Sequence, residues 1–171
     1  MTKHILTIFL FLGFFGFGQT SLDIKAFGQK ILDGKASPSD DKKTFQLLDS
    51  VFSKNPANKD FYFRVANRIQ QISDGALSEY FSGVASKYYL QHVSEFADRS
   101  KTMTKKDLEH WLDFAAFDIA ADEQNINSLQ KIKKQLQTLV DTCKCSADKK
   151  ETIKNLNSIL YKKIEYNLKN F

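Results

Sequence analysis

The chain has 171 residues, of which 42% are hydrophobic and 26% are charged, and a formal net charge of +5 at pH 7. A chain of this length can bury enough apolar surface to fold as one domain. Its two cysteines, Cys143 and Cys145, are separated by a single residue, and a bond between them would close too small a loop to hold distant elements together. The composition therefore excludes a fold that depends on a disulfide framework.

Residues 1–18 are predicted to be a secretory signal peptide. Lys3 and His4 precede the apolar run Ile5–Phe17, and Gly16 and Gly18 are the small residues expected just before a cleavage site. The run has 13 residues, whereas a helix needs about 20 to cross a membrane. We therefore expect a mature chain of residues 19–171 that forms a single domain without a transmembrane segment, located in a periplasm or secreted.

Glycine, proline and capping residues divide the mature chain into segments with helical periodicity. The predicted helices cover residues 21–33, 40–54, 59–73, 76–92, 104–121, 127–143 and 146–171, with a short extra turn at 93–99. Gly34 is expected to end the first helix, and Ser146 is expected to cap the last. Short connections place consecutive helices side by side and antiparallel. The sequence thus predicts an all-α fold of about six or seven amphipathic helices in antiparallel hairpins, either an irregular bundle or a short α-α stack.

Three features of these helices predict how they pack. The segment 104–121, capped by Thr104, is apolar on almost every side after Trp111, so neighbouring helices must bury it. Gly83, in the middle of the fourth helix, is expected to mark a close helix crossing, because glycine there costs roughly 1 kcal/mol relative to alanine. Asp118 interrupts the apolar segment and is expected to pair with Arg64 or Arg68.

Positive charge is concentrated at the C-terminal end of the chain. Residues 128–171 contain ten lysines and four acidic residues, a local charge of +6, whereas residues 19–127 contain 14 basic and 16 acidic residues. None of those ten cations is an arginine, the side chain that contacts phosphates and base edges through two parallel hydrogen bonds. This pattern favours an acidic partner or an anionic envelope surface over a nucleic acid.

Two groups of residues suggest chemistry. Cys143 and Cys145 could form a local disulfide, provided that the helix ends near Cys143, or could bind a soft metal, although a zinc site needs about four ligands. His110 and Asp113 lie one helical turn apart, as in an acid–base pair. No glycine-rich loop, nucleophile elbow or metal-binding helix motif accompanies them, so we do not expect an enzyme and expect no cofactor.

Aromatic and lysine side chains are the best candidates for binding. The third and fourth predicted helices contain more aromatic residues than one core face can take, which suggests that those on the flanks are exposed at a protein interface. The last helix presents a face of lysines, the typical composition of a surface that meets an acidic partner. The candidate binding residues are Phe61, Tyr80, Tyr89, Lys154, Lys162 and Lys169.

These observations predict an exported, non-catalytic helical protein of the cell envelope that binds another envelope or secreted protein. An inhibitor or immunity-type protein fits the size and compartment. Two other classes remain open: a carrier for a small apolar ligand, and a metal or redox protein that uses Cys143 and Cys145. An enclosed cavity would favour the carrier, and reactive sulfur atoms would favour the redox protein.

Overall fold

The structure, a computed structural model, describes the backbone of residues 15–170 and the side chains of residues 23–170. Across these residues the chain is helical and contains no strand, which confirms the predicted all-α fold. The helices are α1 (Phe15–Leu32), α2 (Lys42–Asp49), α3 (Pro56–Gln70), α4 (Gly75–Ser100), α5 (Lys105–Glu123), α6 (Leu129–Thr142) and α7 (Ala147–Asn170). Short 3-10 turns at Ser50–Phe52 and Ile126–Ser128 follow α2 and precede α6.

Most of the predicted signal peptide, residues 1–18, lies outside the described residues. α1 begins at Phe15 and runs through Ser21, so the expected helix start at Ser21 is wrong. A side chain caps a helix only where the backbone before it is not helical, and here the preceding residues are already in the helix. The end of α1 is as predicted, because Gly34 adopts φ 69° and Lys35 N donates to Lys30 O at 2.7 Å.

The chain divides into two compact units, the first ending at Ile69 and the second beginning at Gln70. In the first unit, α1 approaches its neighbours closely at Gly28. A Cβ atom at this position would lie 3.0 Å from Leu47 Cδ1 on α2 and 3.2 Å from Phe61 Cζ on α3. The missing side chain therefore lets the Phe61 ring pack against the backbone of α1. That residues 19–171 form one domain stays a prediction.

The second unit is built around α5, which packs against both α4 and α7, while α6 lies along α7. Trp111 of α5 is 1% exposed. Three rings of α4 surround it, with centroid distances of 5.0 Å for Phe81, 5.9 Å for Tyr88 and 5.7 Å for Phe96. Thr104 caps the helix by accepting a hydrogen bond from Asp107 N at 3.1 Å. The predicted cap is confirmed, and so is the prediction that neighbouring helices bury α5.

α4 is a single helix from Gly75 to Ser100, longer than the predicted segment 76–92. The predicted break is nevertheless visible, because His92 has non-helical backbone angles (φ −129°, ψ 32°) inside the helix. The ring of His92 lies 5.3 Å from that of Tyr88, one turn earlier. The helix therefore continues with a kink where the sequence predicted a separate short turn.

Alanine substitutions at two helical glycines should change stability in opposite directions. At Gly83 a new Cβ atom would lie 3.6 Å from Asp118 Oδ1, an ordinary contact, so Gly83→Ala should stabilise the protein by up to roughly 1 kcal/mol through helix propensity. At Gly28 the new Cβ atom would come too close to side chains of α2 and α3. Gly28→Ala should therefore destabilise the protein by about 1–3 kcal/mol. Urea unfolding followed by circular dichroism measures both. Equal effects would contradict the close approach at Gly28.

Candidate functional site

The apolar stripes of α6 and α7 face each other and form the last hairpin of the second unit. Ile132, Leu136 and Val140 of α6 are buried, and so are Leu156 and Leu160 of α7. A pocket of about 320 Å³ opens along the contact between the two helices. We call it the α6–α7 groove, and it is lined by Lys133, Leu136, Gln137, Val140, Lys154, Asn157, Ser158 and Tyr161.

The floor of the groove is fixed by the buried side chain of Asn157. Asn157 Nδ2 donates to Leu136 O at 2.7 Å, and Tyr89 OH donates to Asn157 Oδ1 at 2.8 Å. One amide therefore joins α4, α6 and α7. Burial raises the pKa of the Tyr89 phenol, which keeps its hydroxyl protonated and able to donate this hydrogen bond.

The two sides of the groove are cationic. Lys133 of α6 and Lys154 of α7 are both exposed. Lys154 lies 3.7 Å from Glu151, but both side chains are more than half exposed, and such surface pairs contribute little free energy. The groove therefore combines an apolar and amide floor with two lysine ammonium groups that face solvent.

The exposure expected for two of the aromatic candidates is wrong. Tyr89 is 1% exposed and Phe61 is 8% exposed. Tyr89 is covered because α4 contacts both α5 and α7, so a wider face of this helix is buried than one stripe of residues suggests. Phe61 is covered because Gly28 gives its ring room against α1. The remaining aromatic candidate, Tyr80, is half-buried.

The lysine candidates are spread along α7. Lys154 lines the groove, whereas Lys162 is exposed and outside the groove lining, and Lys169 pairs with Glu165 at 2.7 Å near the end of the helix. Sequence reasoning missed Lys133, which lies on α6 next to the buried Ile132. The sequence pattern could have identified Lys133, because a lysine beside an apolar stripe lies at the edge of a helix–helix contact.

Asp118 has a different partner from the arginine that was expected. Its Oδ2 accepts a hydrogen bond from Ser86 Oγ on α4, while Arg64 pairs with Asp60 on its own helix at 3.3 Å. Gly83 leaves space for the carboxylate on the surface of α4, where Asp118 Oδ1 would lie 3.6 Å from a Cβ atom. The close crossing predicted at Gly83 is thus a contact with a side chain.

The carboxylate of the His110–Asp113 pair contacts another helix. Asp113 of α5 forms an ion pair with Lys163 of α7, and His110 is half-buried. Asp113 also borders a second pocket, of about 370 Å³, which is lined by Ser78, Glu79, Ser82, Asp113, Phe114, Phe117 and Asn167. Phe117 is 44% exposed, which leaves part of its ring in contact with solvent.

The turn between α6 and α7 contains a disulfide. The structure joins Cys143 to Cys145, and α6 ends at Thr142 with Cys143 in an extended conformation, as the bond requires. A third pocket, of about 500 Å³, lies between this turn and the kink of α4. We call it the kink pocket; it is lined by Leu90, Gln91, His92, Val93, Ser94, Glu95, Asp98, Leu139, Thr142, Cys143 and Lys144.

Within residues 15–170, no three histidine, cysteine, aspartate or glutamate side chains come together in a group that could hold a metal ion. None of the helices described is both long enough and apolar enough to cross a membrane. No known protein family matches the chain, and no curated protein or solved structure matches it.

Replacing Asn157 should destabilise the second unit, because its buried side chain joins three helices. Asn157→Ala leaves Leu136 O and Tyr89 OH without these hydrogen bonds in a buried site, and an unsatisfied buried group costs about 1–3 kcal/mol. Asn155→Ala, at an exposed position of the same helix, is the matched control. We expect urea unfolding to show a clear loss of free energy for Asn157→Ala only.

Burial of two tyrosines should also make the protein less stable at high pH. Burial raises the pKa of the Tyr88 and Tyr89 phenols, so the stability they contribute is complete below about pH 10 and is lost as the pH rises further. Each tyrosine should lower the free energy of unfolding by up to about 1.4 kcal/mol for every pH unit above this value. Measuring unfolding free energies from pH 8 to 11 checks this.

A Tyr89→Phe variant should show a shallower decline with pH than the unmodified protein. The exposed Tyr166 provides the control, because Tyr166→Phe should leave the slope unchanged. A Tyr89→Phe slope equal to that of the unmodified protein would show that this phenol does not titrate with unfolding.

Proposed function

We propose that this chain is an exported, non-catalytic helical protein of the cell envelope that binds another envelope or secreted protein through the α6–α7 groove. The observation that carries the proposal is the position of Lys133 and Lys154 on either side of an apolar floor. A surface of this composition favours a segment with apolar side chains and neighbouring carboxylates.

The geometry of the groove supports recognition of a peptide segment over that of a small molecule. Its floor includes the side chains of Leu136, Val140 and Tyr161, which offer contacts to the apolar face of a helix or an extended strand. Asn157 is held by two hydrogen bonds, so the floor is ordered before a partner arrives. Such preorganisation reduces the entropy lost on binding.

Charge supports the same partner. The hairpin region 128–171 has a local charge of +6, which would speed encounter with an acidic surface. This attraction acts over about 8 Å at physiological ionic strength, so the lysines at the groove contribute most directly. An inhibitor or immunity-type role fits these features. In such a role, an acidic segment of a partner enzyme or toxin binds in the groove.

A carrier for a small apolar ligand is the second candidate. Its support is the pocket of about 370 Å³ beside Phe114 and Phe117. Because Phe117 is 44% exposed, this pocket opens to solvent, whereas carrier sites bury most of the ligand surface. Lipid extraction and mass spectrometry of the purified protein test this function directly.

Binding to the groove should depend on the position of the lysines and not on total charge. The probe is a fluorescent peptide that contains both glutamate and leucine residues. We expect the double variant Lys133→Glu, Lys154→Glu to bind it at least about tenfold more weakly, equivalent to about 1.4 kcal/mol of binding free energy. The matched control combines Lys162→Glu with Lys169→Glu, which changes the charge equally outside the groove lining. Fluorescence anisotropy measures both affinities.

Two further measurements separate groove binding from general attraction. A peptide in which lysine replaces glutamate should not bind, and affinity for the acidic peptide should fall as salt increases. Equal weakening in the two double variants would show that the groove is not the binding site. Both variants carry exposed substitutions, and circular dichroism checks that they fold.

A further inference from the structure

The disulfide in the turn between α6 and α7 is not needed to hold the fold together. Cys143 and Cys145 are two positions apart, so reduction restores very little freedom to the unfolded chain. The two helices are held by their buried apolar stripes and by Asn157. The bond can therefore open and close while the surrounding structure remains in place.

One cysteine of this disulfide lines a surface pocket. Cys143 and Lys144 line the kink pocket, together with the α4 segment around His92. The pocket volume of about 500 Å³ falls within the range of small-molecule and peptide side-chain sites. Cys143 is half-buried, so part of this residue is open to solvent at the pocket.

The other cysteine lies at the start of α7. Cys145 immediately precedes Ser146, whose Oγ accepts from Lys149 N at 3.4 Å at the start of α7. The N-terminus of a helix carries partial positive charge, which favours negative charge nearby. Lys144, Lys149 and Lys150 lie within five residues of Cys145, as do Asp141 and Asp148. Lys149 pairs with Asp98 of α4 at 2.7 Å, which leaves Lys144, next to both cysteines, as the nearest lysine to the disulfide in the sequence.

We propose that Cys143–Cys145 is a thiol–disulfide exchange site that accepts electrons from a dithiol bound in the kink pocket. A thiolate of the dithiol attacks Cys143 Sγ and forms a mixed disulfide, and Cys145 leaves as a thiolate. The second thiolate of the dithiol then attacks its own sulfur in the mixed disulfide and releases Cys143. The dithiol is oxidised to a disulfide by loss of two electrons and two protons, which Cys143 and Cys145 take up as thiols.

The structure predicts which cysteine plays which part. In thiol–disulfide exchange, the sulfur that is attacked depends on which one the incoming thiolate can reach. Both cysteines are half-buried, but Cys143 lines the kink pocket and Cys145 does not, and Cys145 lies next to the start of α7. This exchange is stoichiometric. It does not involve the residues of the α6–α7 groove, so its experiments test it independently of the proposed binding function.

Reduction of the unmodified protein is the first test. The oxidised protein is mixed with dithiothreitol at pH 7, and free thiols are blocked with maleimide and counted by mass spectrometry over time. We expect the folded protein to react about tenfold faster than the same protein in concentrated urea, where the pocket and helix terminus are lost and the disulfide remains. Equal or slower reaction of the folded protein would overturn the proposal.

The site of attack is the second test. Reaction with reduced glutathione is stopped with acid, and the mixed disulfide is located by peptide mass spectrometry. We expect glutathione on Cys143, whereas its attachment mainly to Cys145 would overturn the assigned order. Reduced protein should keep its helical circular dichroism signal, and loss of that signal would show that the disulfide is structural.

A charge change beside the sulfur atoms gives a matched comparison. Lys144→Glu should slow reduction by anionic glutathione several-fold and should affect uncharged dithiothreitol less. Lys162→Glu introduces the same charge on α7 at roughly 24 Å along the helix from the turn and should leave both rates unchanged. Equal slowing of glutathione by the two variants would show that the pocket does not receive the thiol.

Discussion

The hydrogen bonds of Asn157 are the constraint on which the C-terminal part of the structure depends. This single amide donates to the backbone of α6 and accepts from Tyr89 of α4, so the hairpin has one position relative to the helices beneath it. Apolar contacts alone favour burial but are not directional. The buried amide forms both hydrogen bonds only when α6 and α7 are correctly aligned with each other and with α4. The same alignment sets the position of the residues that line the groove.

The proposed binding site and the proposed exchange site use different parts of this hairpin. The groove lies along the facing sides of α6 and α7, where lysines border an apolar floor. The disulfide lies in the turn, where α6 has ended and α7 has not begun. Because the same buried stripes support both parts, substitutions on the exposed surface can change either property without disturbing the core.

Local signals predicted much of the fold. Gly34, Thr104 and Ser146 were identified as helix boundaries because turns and caps depend on the chemistry of a few adjacent residues. Side-chain exposure was harder to predict. Tyr89 and Phe61 were placed on flanks because periodicity identifies one buried face of a helix, but α4 contacts two neighbours and α3 receives the close approach of Gly28.

The sequence by itself determined the helical class, most helix boundaries, the burial of Trp111 and the concentration of lysines at the C-terminal end. Each of these follows from composition, periodicity or a local hydrogen bond. Only the tertiary structure decided that Asn157 meets Tyr89, that Asp118 meets Ser86, and that Lys133 and Lys154 border one groove. The residues of these three pairs are 68, 32 and 21 positions apart in the sequence, and how whole helices pack decides whether they come together.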